Sequence, residues 1–78
     1  MNNEKQEKKL LKAIQGYIKE NGETGNRNTI LFNFGIISDT LELNILQFLN
    51  KANKLLSSPL PDDELNTIYN SIKKIKKI

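Results

Sequence analysis

Asp62, Asp63 and Glu64 stand in succession directly after Pro61. Three adjacent carboxylates raise two chemistries, divalent-metal binding and general acid–base work, and the spacing favours neither. Consecutive side chains in one helical turn point in different directions, and no further acid is placed to complete an oxygen cage. Acid–base work by a carboxylate pair would need a buried neighbour to set the two groups apart, and none is visible. Helix initiation accounts for the acids better. Pro61 suits the first helical position, and negative charge in the first turn answers the helix dipole.

The other chemistry-bearing residue types are scarce. Histidine and cysteine are absent, which removes the usual general base near neutral pH and the commonest transition-metal ligands. The stretch GETGNRN has two glycines but neither the spacing of a phosphate-binding P-loop nor its lysine. The chain is therefore expected to be no enzyme by itself, with no catalytic residue, metal, cofactor or small-molecule substrate.

Cations are the more informative class. The net charge is +3, from 12 basic and 9 acidic residues, and the lysines gather at the two ends. Lys5, Lys8, Lys9 and Lys12 lie near the start, and Lys73, Lys74, Lys76 and Lys77 near the finish. Most such runs are solvated helix faces. At the C-terminal end the lysines flank Ile72, Ile75 and Ile78, so one side can pack while another shows cations, and phosphate contacts need little more. Together with Arg27, Lys51 and Lys54 they form the candidate nucleic-acid-binding set. Tyr17 and Tyr69 are candidate stacking residues for single-stranded bases, although both fall on apolar stripes and also suit core packing.

These residues must be positioned by one small domain, since 78 residues allow no more. A chain of this size buries only about 60–65% of its unfolded surface, so its core is thin. Apolar runs fall far short of the roughly 20 residues that span a bilayer, and no charged-then-apolar leader is present. A cytoplasmic protein without membrane contact is expected. Residues 1–7 read as a frayed polar terminus and 8–78 as a single helical domain. From Lys8 the residues Leu10, Leu11, Ile14, Tyr17 and Ile18 recur at helical steps, and Asn21-Gly22 ends that helix. A second helix starts near Asn26 or Arg27, where Asn26 and Asn28 can cap, and includes Ile30, Leu31, Phe34 and Ile37. Ser38-Asp39-Thr40 marks the next start, with Asp39 and Glu42 at capping-box spacing. The third helix then carries Leu41, Ile45, Phe48, Leu49, Ala52, Leu55 and Leu56 and reads as the central one. The fourth opens at Pro61 and buries Leu65, Ile68, Tyr69, Ile72 and Ile75. Nothing alternates as a strand would. The predicted fold is all-α, a small four-helix bundle with short loops. A helix-turn-helix reader fits poorly, because the third helix is apolar over too much of its circumference to leave a polar face for a groove.

Three elements in fixed order add a resemblance: GNRNTILF at 25–32, Asn53, and SPLPDDELNTIYNSI at 58–72. The set resembles the C-terminal helical domain (type 1) of phage, plasmid and mobile-element primases. That family shows Gly then Arg-Asn opening a helix, a later Asn, a Pro-Pro-Leu, an acid with an apolar neighbour, then Ile and Ser. Arg27-Asn28, Asn53, Pro59-Leu60, Glu64-Leu65, Ile68 and Ser71 occupy those places, and Ser58 replaces the first proline. The match covers 25–74 and leaves the first helix outside. The resemblance implies an accessory module of DNA replication, free-standing or excised from a longer primase. Its partners would be single-stranded template DNA and a primase or polymerase, with a helicase of the same element in reach. Arg27 could contact phosphate or pair with an acid such as Glu64. Asn28 and Asn53 could clamp nucleotides or tie helix ends and loops. For Ser71, close helix packing is enough. A protein–protein adaptor that docks a replication enzyme without touching nucleic acid is the alternative.

Overall fold

Apolar spacing at three and four residues condenses into α1 (Asn3–Asn21), α2 (Arg27–Thr40), α3 (Ile45–Asn53) and α4 (Asp62–Lys76). They are seen in a computed structural model that describes residues 3–22 and 27–76. No strand occurs among the described residues, and the fold is the expected small all-α four-helix bundle. The central place expected for α3 is shared with α2. Each of these two packs against all three other helices, whereas α1 and α4 flank the pair and do not approach one another.

α1 starts at Asn3, so residues 3–7 are helical rather than frayed. Glu, Lys and Gln are good helix formers, and Glu4 sits where the dipole favours an acid. The deciding contact is tertiary. Glu7 is only 6% exposed because its carboxylate accepts from Lys51 Nζ at 2.7 Å and from Gln47 Nε2 at 3.3 Å, both on α3. The helix ends as expected at Gly22, whose φ of 77° suits a residue without Cβ and whose N–H reaches the Ile18 carbonyl at 2.8 Å.

The boundary between α2 and α3 departs from the sequence reading. Ser38, Asp39 and Thr40 do not open a helix; they close α2. Ser38 is fully buried and its hydroxyl is turned back onto the preceding turn, donating to the Gly35 carbonyl at 2.6 Å. The helix finishes in a Schellman motif, with Leu43 N–H on the Ser38 carbonyl and Glu42 N–H on that of Asp39, each at 2.9 Å. Glu42, expected in a capping box, occupies the left-handed position of that motif at φ 62°. The cap of α3 is instead Asn44, whose Oδ1 accepts from Gln47 N–H at 2.9 Å. Leu41 therefore leaves the α3 stripe and stands 37% exposed between helices, while Leu55 and Leu56 follow α3 in a turn. Leu56 still reaches the core.

The core joins Leu10 and Ile14 of α1, Ile30 and Leu31 of α2, Phe48, Leu49 and Ala52 of α3, and Leu65, Ile68 and Ile72 of α4. Each such large side chain contributes about 1.5–3 kcal/mol on burial. Ile75, expected on the buried face of α4, is 45% exposed in the last turn of that helix. Gly35 sets the approach of three helices. A Cβ built there would lie 2.4 Å from Ile72 Cδ1 and 3.3 Å from Leu49 Cδ2.

Gly35→Ala gains roughly 1 kcal/mol of helix propensity but overpacks the core at about 1–3 kcal/mol, so net destabilisation is expected in denaturant unfolding. Ile72→Val removes Cδ1, and in that background Gly35→Ala should cost less than it does alone. Strict additivity of the two changes would show that this approach is not the constraint. At the α2 terminus, Glu42→Gly relieves a left-handed residue that bears a Cβ and should raise stability by about 1 kcal/mol. An unchanged unfolding midpoint would count against that assignment.

Candidate nucleic-acid interface

Most of the residues singled out by the ordered motifs converge on one corner, where the start of α2, the 54–61 connection and the start of α4 meet. Asn53, the last residue of α3, is buried and grips the connection from both sides. Its Nδ2 donates to the Leu60 carbonyl at 3.0 Å, and its Oδ1 accepts from the Leu60 N–H at 2.8 Å. Leu60 is thereby set into the core, with Pro59 outside it. The Pro61 carbonyl accepts from Leu65 N–H at 3.1 Å, so Pro61 stands at the cap of α4, one place before the first helical position expected for it, and Asp62, Asp63 and Glu64 form the first turn.

Arg27 does not pair with Glu64. Its guanidinium donates to the Ser58 carbonyl, and Asn28 reaches Glu64, with Nδ2 at 3.4 Å from Oε1. Asn28 lies in the first turn of α2 rather than at its cap, and Asn26 lies outside the described residues. Ser71 donates to the Thr67 carbonyl at 3.0 Å and, with Asn28, Thr29 and Phe32, borders a shallow depression between α2 and α4. Arg27, Asn28 and Asn53 thus act within the fold, tying α2 and α3 to the connection and to α4, whereas Ser71 bonds only within α4.

The cations divide by what they touch. Lys51 is held by Glu7, and Arg27 by Ser58. Lys54 is exposed at the C-cap of α3. Lys73 lies over the Tyr69 ring, 5.2 Å from its centroid, and Lys74 is exposed. Tyr69 itself borders a depression that also carries Asp39 and Glu42, so this end of the molecule mixes both signs. Lys76 closes α4, and Lys77 lies outside the described residues.

A cleaner cationic face appears on α1. With the helix starting at Asn3, Lys5, Lys8, Lys9, Lys12 and Lys19 fall within an arc of about 100°, opposite the buried Leu10 and Ile14. All five are exposed, and none takes part in an ion pair or a side-chain hydrogen bond among the described residues. From Lys5 to Lys19 the stripe runs about 21 Å along the helix. Glu4 and Glu20 stand at its borders, and no acid lies within it. A helix taken to start at Lys8 leaves Lys5 out of register and hides this. The signal available was the spacing of Lys5, Lys9, Lys12 and Lys19, at steps of four, three and seven.

Tyr17 is 44% exposed on α1 and meets Phe34 of α2 edge to face, with centroids 6.1 Å apart at 70°. Among the described residues no three His, Cys, Asp or Glu side chains converge as metal ligands would, and no helix is long and apolar enough to cross a membrane. Comparison with family models, with curated proteins and with solved structures gives no match to this chain.

The two uses of asparagine separate cleanly in stability. Asn53→Ala leaves the N–H and carbonyl of Leu60 buried without partners, and should destabilise by about 2–4 kcal/mol. Asn28→Ala removes one long, exposed bond and should stay within about 0.5 kcal/mol. Guanidinium unfolding of both variants checks this. Equal effects would remove Asn53 from its bracing role.

Proposed function

We propose that this chain is a non-catalytic helical module of DNA replication that binds single-stranded DNA through its phosphates, beside a primase or polymerase partner. The observation that carries the binding is the acid-free stripe of five lysines on α1 that are unpaired among the described residues. Phosphate neutralisation needs cations that are free to leave water and counter-ions behind, and this face supplies them. Lys54, Lys73 and Lys74 are further exposed cations on other parts of the bundle, whereas Arg27 and Lys51 serve the fold. An anionic bilayer fits the stripe less well. Interfacial helices insert their apolar side, and that side of α1 is already spent on the core through Leu10 and Ile14. The replication setting rests on the ordered motifs of residues 25–74, which fall within α2 to α4 where described.

The adaptor reading has its own support. Gln6, Lys9, Leu10, Ala13 and Leu41 line a shallow, mostly apolar groove between α1 and α2, and Ile37 is exposed on the same helix as Phe34.

A titration of labelled oligonucleotide at several salt concentrations separates them. The nucleic-acid reading expects log affinity to fall linearly with log salt, and Lys5→Gln, Lys9→Gln and Lys12→Gln together to reduce the slope by about 2. Lys73→Gln with Lys74→Gln should reduce it less. Absence of salt-sensitive binding, with the wild-type chain folded, would leave the adaptor.

A further inference from the structure

We infer that the groove between α1 and α2 is a docking site for an acidic amphipathic helix of a partner protein. This rests on the protein-partner part of the preceding proposal and gives that contact a place and a chemistry. On α1, Leu10, Ala13 and Tyr17 recur at steps of three and four; Phe34, Ile37 and Leu41 do the same along α2 and just past its end. The two rows are joined at both ends. Leu41 lines one groove with Leu10 and Ala13, and Tyr17 meets Phe34 edge to face. Among the described residues five large apolar side chains stand more than a third exposed, and Tyr17, Ile37 and Leu41 on this face are three of them. Scattered singly, such residues are ordinary; gathered in two facing rows they make a surface that a ligand covers. Anchors at these steps on both walls match the apolar stripe of a third helix laid along them. From Leu10 to Tyr17 the floor runs about 10 Å, so two turns of such a helix fill it.

The rims choose the occupant. Lys9 lines the groove, and Lys5 and Lys12 stand one turn before and after it, all three exposed. The opposite rim, next round α2 from Ile37, carries the neutral Asn33 and Thr40. Glu20 stands at the far end, beyond Tyr17, and Asp39 and Glu42 border the depression beside Tyr69 instead. A helix with an apolar stripe and acids along one flank therefore satisfies floor and rim together. A nucleic-acid strand would pair with the lysines and leave the apolar floor in water. A second copy docked through the same face would oppose the lysine rim with lysines, or with Asn33 and Thr40, and supply little acid to either.

The probe is a stapled synthetic helix of about four turns, with leucine on one face and glutamate on its flanks. One control replaces its glutamates by lysines, the other its leucines by serines. By fluorescence anisotropy with the full chain, the leucine–glutamate helix should bind roughly 10-fold more tightly than either control, and less tightly as salt is added. Ala13→Glu and Ile37→Asp, both at exposed positions, should each weaken it roughly 10-fold, and Lys9→Gln should lessen its salt dependence. Backbone amide shifts on binding should centre on Ala13, Ile37 and Leu41. Equal binding of the glutamate and lysine helices overturns the inference, and this comparison needs no variant to fold. Shifts centred instead on Phe32, Thr67 and Ser71, between α2 and α4, overturn the site and leave the partner reading standing. A dimer of the chain that Ala13→Glu dissociates makes a second copy the occupant and overturns it too. Failure of the probe to bind overturns the inference alone, since phosphate binding is read separately by the oligonucleotide titration.

Discussion

The bundle depends on Asn53 making two hydrogen bonds to one residue. The chain must leave α3, reverse and deliver α4 to the far side of α2, and it does so through a connection with little regular structure of its own. A buried connection would strand backbone polar groups, which is why most connections stay in water. Asn53 removes that penalty at the one point where the connection goes inward. Its amide offers one donor and one acceptor in the spacing of a neighbouring strand, and Leu60 takes both. With Leu60 anchored, Pro61 and the three acids begin α4 at a fixed place. Ile72 then arrives opposite Gly35, where the absence of a side chain lets the helices close.

The fold also decides which charges are free. A basic residue that ties two elements together is no longer available to a ligand without a structural cost. Arg27 and Lys51 are of that kind. The first holds the connection at Ser58, and the second neutralises a buried glutamate whose other partner, Gln47, is uncharged. The lysines of α1 carry no such duty among the described residues. Charge composition therefore describes the molecule poorly until each cation is assigned its neighbours.

Much of this was legible in the residues. The class, the number of helices, the Gly22 stop, the α2 start and the dipole logic of Pro61 and its acids follow from period and capping chemistry. The role of Asn53 as a loop tie was one of two open readings, and geometry selected it. The α2–α3 boundary was misread because two capping patterns compete within nine residues: Asp39 with Glu42, and Asn44 with Gln47. Local chemistry ranks them about equally. Burial of Ser38 and Leu43 decides between them, and burial is a tertiary fact. The start of α1 was missed for the same kind of reason, since the partner of Glu7 lies 44 residues away.

One topological fact has a dynamic consequence. α1 touches α2 and α3 but never α4, so α2, α3 and α4 share contacts that do not pass through α1. Cooperative units in small proteins follow such divisions, and an element attached along one side opens more readily than the whole. Backbone amides of α1 would then exchange with solvent through a sub-global opening that leaves Gly35 and Ile72 in place. The helix that bears the free lysines is thus also the foldon most easily released. Anything that grips its outer face while it is docked lowers the population of the open form, coupling occupancy of the surface to the order of the helix beneath it.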